Sequence, residues 1–186
     1  NYKNAWLKLY DMPVVYFPKF FHPDPSVDRK SGFLVPSIKN SPNSNSFFSL
    51  PYYKVISNNK DATITPRLFS NNQFLIQTEY RQVNLNSKHT SDISFFKEKN
   101  KSSKNHFFYN LKKKLNFLDF ENGQLNLKVQ KTSNDTYLKA NKLTSPLINQ
   151  FDLLENSLNL KFSSANTKID SELIVYEDLT RKKSDR

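Results

Sequence analysis

The chain has no cysteine, only two glycines, one tryptophan and one methionine among its 186 residues. The missing cysteine excludes a disulfide, a thiol nucleophile and a thiolate metal site, while saying little about redox compartment. With so few glycines there is no glycine-rich loop to cradle a phosphate. No apolar run reaches the roughly 20 residues that a membrane-crossing helix needs, and no segment keeps a helical period over a useful length. His22, His89 and His106 have no metal-ligand spacing with one another. No G-x-S-x-G elbow exists, and the carboxylate pairs Asp119/Glu121 and Glu177/Asp178 fall at turns or strand ends, where carboxylates are usually solvated. The sequence therefore offers no catalytic residue, no metal site and no cofactor site, and a non-enzymatic role is expected.

What is present is aromatic and basic. Sixteen phenylalanines and nine tyrosines with so few glycines argue for extended structure. The formal net charge is +11, which fits a nucleic-acid binder, a protein facing anionic lipid, or lysine enrichment from an AT-rich gene. The mean hydropathy of −0.70 is that of a polar protein, but a transmembrane β-barrel also averages polar, because alternate residues face a wet lumen. The chain opens on Asn1 without an initiating methionine and is read as an internal portion of a longer protein, so the absence of a leader carries no weight.

Alternation of period two runs through most of the chain. Residues 4–9 alternate weakly, and residues 14–21 form an apolar aromatic run that crosses Pro18. Residues 22–28, with Pro23 and Pro25, read as a loop. Strands are then expected at 33–38, 46–56, 61–69, 74–83, 93–97, 106–118, 125–129, 158–163 and 169–176, with turns at 40–45, 57–60, 71–72, 121–123 and 164–166. Residues 137–151 read as irregular, with room for a helical turn. About nine strands joined by hairpins predict an antiparallel meander. That pattern fits a soluble β-sandwich, basic and suited to anionic polymers or nucleic acid. It fits equally a slice of an up-and-down membrane barrel with its apolar face on lipid. Pro36 and Pro51 stand inside the first two of these strands, fifteen positions apart. Proline cannot complete a sheet ladder, so these strands are expected to part easily.

The segments PVVYFPKFF, DRKSGFLVPS, LPYYKVISNNKDATITPR and TEYR, in that order, resemble the LptD family of lipopolysaccharide-assembly proteins of the Gram-negative outer membrane. They fall within residues 13–81, a stretch of over a third of the chain. KTSNDTYLK and VYEDL continue the resemblance more thinly. The resemblance implies an all-β fold: residues 1–25 as the end of a periplasmic jellyroll with its linker, and residues 26–186 as the N-terminal strands of a large, incomplete barrel. It also implies transport of lipopolysaccharide and its insertion into the outer leaflet through a laterally opening barrel in the outer membrane.

By the same resemblance Pro36 and Pro51 are lateral-gate residues. Arg29, Lys30, Arg67 and Arg81 are the basic side chains placed to meet lipid-head phosphates, and Val14, Val15, Phe17, Phe20 and Phe21 line an acyl passage. Tyr52 and Tyr53 fit an interfacial aromatic belt or plain packing. The implied partners are lipopolysaccharide, an LptE-like plug lipoprotein, an LptA-like periplasmic bridge and outer-membrane lipid, with no nucleic acid. An unclosed slice has open edges and a bare apolar face, so the stretch alone is not expected to fold.

Overall fold

The computed structural model describes residues 2–9, 12–20, 29–40, 46–70, 72–117 and 120–181. Two strands, β1 (Tyr2–Leu9) and β2 (Met12–Phe20), form an antiparallel hairpin of their own, with Val15 opposite Leu7 and Phe17 opposite Ala5. A second sheet holds all the other strands: β3 (Gly32–Phe33), β4 (Ser37–Lys39), β5 (Phe47–Ser49), β6 (Tyr52–Ser57), β7 (Lys60–Phe69), β8 (Phe74–Val83), β9 (Ser87–Lys97), β10 (Lys104–Phe117), β11 (Phe120–Thr132), β12 (Leu153–Ser163) and β13 (Lys168–Asp178). A single helical turn, α1 (Tyr137–Ala140), falls in the long connection between β11 and β12.

Every pairing in the large sheet is antiparallel, and the order follows the chain from β13 at one edge to β3 and β4 at the other. The first two expected strands are each broken in two. β3 and β4 are halves of one strand, interrupted at residues 34–36, and β5 and β6 are halves of the next, interrupted at residues 50–51. The eleven segments thus make nine strand paths, the number the alternation predicts for this part of the chain.

Two expectations are corrected. Glu121, Asn122 and Gly123 form no turn: they lie inside β11, with Gly123 opposite Leu115 and Phe162. β9 is also far longer than the expected 93–97. It starts at Ser87, because hydrogen bonding to both β8 and β10 carries the polar stretch Ser87–Asp92 that has no apolar rhythm.

Since directly opposed residues share a face, the register sorts the side chains into two surfaces. Phe33, Tyr52, Ile64, Thr78, Ile93 and Phe107 make one row across β3, β6, β7, β8, β9 and β10. Ile38, Leu68, Phe74, Phe95, Leu158 and Leu173 belong to the same face, and all of these except Tyr52, Ile64 and Thr78 are exposed. The neighbouring row, Thr65, Gln77, Ser94 and His106, lies on the opposite, polar face. The exposed apolar surface is far more continuous than a water-facing sheet normally presents.

Among the described residues, buried apolar side chains do not converge between facing sheets, as a sandwich requires. Apart from Ala62, they form one small cluster on the polar side: Leu75, Phe96 and Phe108 from the strands, Tyr137, Leu138, Leu143 and Leu147 from the β11–β12 connection, and Leu154 and Leu179 near the ends of β12 and β13. The connection folds down and covers part of the polar face.

Candidate functional site

The feature that sets this sheet apart is the double interruption at its β3–β4 edge. The Leu34 amide donates to the Pro51 carbonyl at 2.8 Å. In an antiparallel ladder such a pair normally exchanges two bonds, but the Pro51 nitrogen carries no hydrogen, so the return bond to Leu34 is absent. Beyond this pair the register slips. Phe33 faces Tyr52 and Ser37 faces Ser49, leaving three residues (34–36) against two (50–51). That is a one-residue bulge containing Pro36. The Leu50 amide points the other way, to the Pro66 carbonyl at 3.3 Å. By alternation, Ser49 and Ser37 face one another and the Pro36 nitrogen is turned to the open edge. The two prolines therefore act differently. Pro51 removes a bond inside the sheet, and Pro36 blunts the edge and occupies the bulge.

Below the interruption the edge strand is fastened by side chains. Asp61, on β7 and 1% exposed, takes Arg29 on one carboxylate oxygen and the Arg81 Nε on the other at 2.5 Å. Arg29 also reaches the Asn58 carbonyl at 3.4 Å. Arg81 further pairs with Glu79, donates to Thr63 Oγ1 at 2.9 Å and lies 5.9 Å over the Tyr53 ring. The Val55 amide donates to Ser31 Oγ at 2.8 Å. Lys30 is exposed. Tyr52 is on the apolar face, packed edge-on against Phe33 at 5.0 Å.

Above the interruption Arg67 is buried on the polar face. It donates to the carbonyls of Asn141 at 2.9 Å and Lys142 at 3.4 Å, and lies 5.2 Å over the Phe47 ring. Gln77 accepts from Arg67 at 3.4 Å. It donates to both Asp92 oxygens at 2.9 and 3.1 Å and to the Thr144 carbonyl at 3.0 Å. Ser94 Oγ joins His106 Nδ1 at 2.5 Å to the Tyr137 hydroxyl at 2.6 Å, and Gln130 donates to the Leu147 carbonyl at 2.7 Å. Asp92 Oδ1 stands 3.5 Å from His106 Nε2. Burial pushes the Tyr137 phenol up to about 12, against the opposing pull of the Ser94 hydrogen bond and the Arg67 charge. Arg67, Gln77, Ser94 and Gln130 use their bonds to hold the β11–β12 connection on the sheet, which is how buried polar groups become tolerable.

Between the interrupted strands and this covering segment lies an open groove of about 420 Å³, walled by Leu34, Pro51, Thr65, Arg67, Glu79 and Lys142 among others. The interruption and the groove are neighbours on the polar face.

The four expected cations are therefore split. Arg29 and Arg81 meet at Asp61, Arg67 lines the groove, and Lys30 joins neither group. Val14, Val15, Phe17 and Phe20 lie on β2, while Phe21 falls outside the described residues, as do His22 and Asp119. Reasoning from the sequence missed Gln77, Asp92, Ser94, His106 and Gln130. The available signal was a set of apolar residues out of phase with their polar face, Leu75, Phe96 and Phe108, matched by Leu138, Leu143 and Leu147 in the connection. Among the described residues no cluster of His, Cys, Asp or Glu could hold a metal ion.

The class follows from the fold: an all-β, up-and-down antiparallel meander that stays unclosed, one face apolar and one polar, as in a slice of barrel wall. No protein-family model matches the chain. Individual proteins do match, and the chain is similar to a segment of the LPS-assembly protein LptD of several bacteria. The protein of that name from Chromobacterium violaceum is 44% identical over 80 residues, 43% of this chain and 10% of that protein. That from Nitrosococcus oceani is 45% identical over 84 residues, 44% of this chain and 11% of that protein. That from Pseudoalteromonas atlantica is 27% identical over 180 residues, 95% of this chain and 23% of that protein. The chain thus spans between a tenth and a quarter of the length of these relatives.

Proposed function

We propose that this chain is part of the wall of an outer-membrane barrel that moves lipopolysaccharide and releases it sideways into the outer leaflet. Residues 26–186 supply barrel strands, and residues 1–25 the end of a periplasmic jellyroll and its linker. One observation carries the reading: two neighbouring strands at the sheet edge are interrupted at Pro36 and Pro51, where the ladder lacks a bond. The bare apolar face suits lipid, and the polar face with its groove suits a sugar head group. The relatives' name, LPS-assembly protein, supports lipopolysaccharide as the cargo. No bond of the cargo is made or broken in this role.

Pro36 and Pro51 form the gate. Arg29, Lys30, Arg67 and Arg81 supply positive charge along the head-group path, Arg67 from the groove wall. Val14, Val15, Phe17, Phe20 and Phe21 supply the acyl path on the periplasmic side. A plug lipoprotein of LptE type and a periplasmic bridge of LptA type complete the route. The test is replacement of both prolines by alanine in the full-length gene product. The expected result is less lipopolysaccharide at the cell surface with the barrel still folded. Unchanged delivery by a folded double variant defeats the gate.

A further inference from the structure

Two ladders, not one, are weakened at the same height. In β7 the Pro66 carbonyl accepts the Leu50 amide at 3.3 Å. Leu50 and Pro66 are in register with the pairs around them, Ser49 with Arg67 and Tyr52 with Ile64. They form a pair that should exchange two bonds, and Pro66 has no hydrogen to return. The one bond made is longer than that from Leu34 to Pro51, at 2.8 Å. Pro51 stands opposite Thr65, so the two deficient pairs lie one residue apart along the strands, about 3.4 Å. On its other side Pro66 sits opposite Ile76 in an unbroken β7–β8 ladder.

The weakened line is fastened at both ends. Below it, Arg29 on Asp61 and the Val55 amide on Ser31 hold the edge strand down. Above it, Phe47 packs on Phe69 at 5.4 Å and under Arg67, and Arg67 holds the covering segment.

We propose that Pro66 is a third positioning residue of the seam: with Pro51 it makes a crease across the first two strands, which yields at mid-height while both ends stay closed. This rests on the gate reading above and extends it from one ladder to two. The seam then opens as a bounded window rather than by unzipping from an end.

The experiment uses the full-length gene product in lipid nanodiscs, with residue-resolved hydrogen–deuterium exchange, and cells carrying the same variants for surface lipopolysaccharide. Pro66→Ala restores a donor opposite Leu50, and Leu68→Ala, on the same apolar face, controls for lost apolar area. The expected result has the Leu34 and Leu50 amides exchanging faster than Val55 and Ile76. Pro66→Ala slows Leu50 and lowers surface delivery, and Leu68→Ala does neither. Unchanged Leu50 exchange in folded Pro66→Ala overturns the crease. So does normal delivery by Pro66→Ala when Pro51→Ala impairs it, a result that leaves the simpler gate standing. Normal delivery by both single variants overturns the crease and counts against the gate as well.

Discussion

Replacing Pro51 alone by alanine gives the most direct measure of the seam. The substitution adds one N–H facing Leu34, whose own amide already bonds the Pro51 carbonyl at 2.8 Å, so the new bond needs no rearrangement. A backbone hydrogen bond contributes about 0.5–1.5 kcal/mol net. Local opening of that pair should become rarer by about two- to thirteen-fold, taking RT as about 0.59 kcal/mol. Global stability should barely change, because alanine also frees the unfolded chain and gives back about 0.4–1 kcal/mol. The assay is exchange of the Leu34 amide, which reports local opening separately from global unfolding. Pro36→Ala is the internal control, since its nitrogen faces the open edge. It should leave Leu34 exchange unaltered while giving the edge a new donor. Equal slowing by both variants, or none by Pro51→Ala, would refute this account of the ladder.

Other consequences follow from the covered face and the packed turn. Arg67→Gln removes the donors that hold the Asn141 and Lys142 carbonyls. Limited proteolysis should then cut the β11–β12 connection faster, with the strands still resistant. A β-carbon at Gly123 would stand 2.5 Å from the Leu115 carbonyl oxygen and 3.0 Å from Phe162. Gly123→Ala should therefore cost about 1–3 kcal/mol in urea unfolding, as overpacking does, and an unchanged midpoint would contradict the close approach. Tyr137 ionises at about 12 in the fold against about 10 when unfolded. The folded state thus keeps a proton that the unfolded chain loses, so this contribution is complete below pH 10 and is lost as pH rises toward 12. Tyr137→Phe should flatten stability against pH in that window, and an unflattened curve would count against a buried phenol.

The sequence made the strands legible where one face was apolar. Ile64, Leu68, Phe74 and Ile76 announce β7 and β8 because alternation is forced on any strand with one face against an apolar medium. Ser87–Asp92 carried no such rhythm, and its strand is imposed by the two ladders that flank it. Glu121–Gly123 has turn chemistry yet lies in a strand, since Gly123 is needed where Leu115 approaches rather than where the chain reverses. The prolines could be read directly, because a missing N–H is a covalent fact. Which ladder each one weakens depends on the direction each residue faces, and that needed the register. The covered polar face was hidden for a different reason: a connection of irregular pattern does not say which surface it will fold onto.

Arg67 immediately follows Pro66 and reaches a carbonyl 74 positions further along the chain. The same guanidinium rests over Phe47 of the second strand. A shift of the strands at that height must therefore tug on the connection that covers part of the polar face, and a disturbance of that connection must press back on the strands. Under the proposed function, permeability to small solutes and delivery of cargo should rise and fall together, because one side chain bears on both.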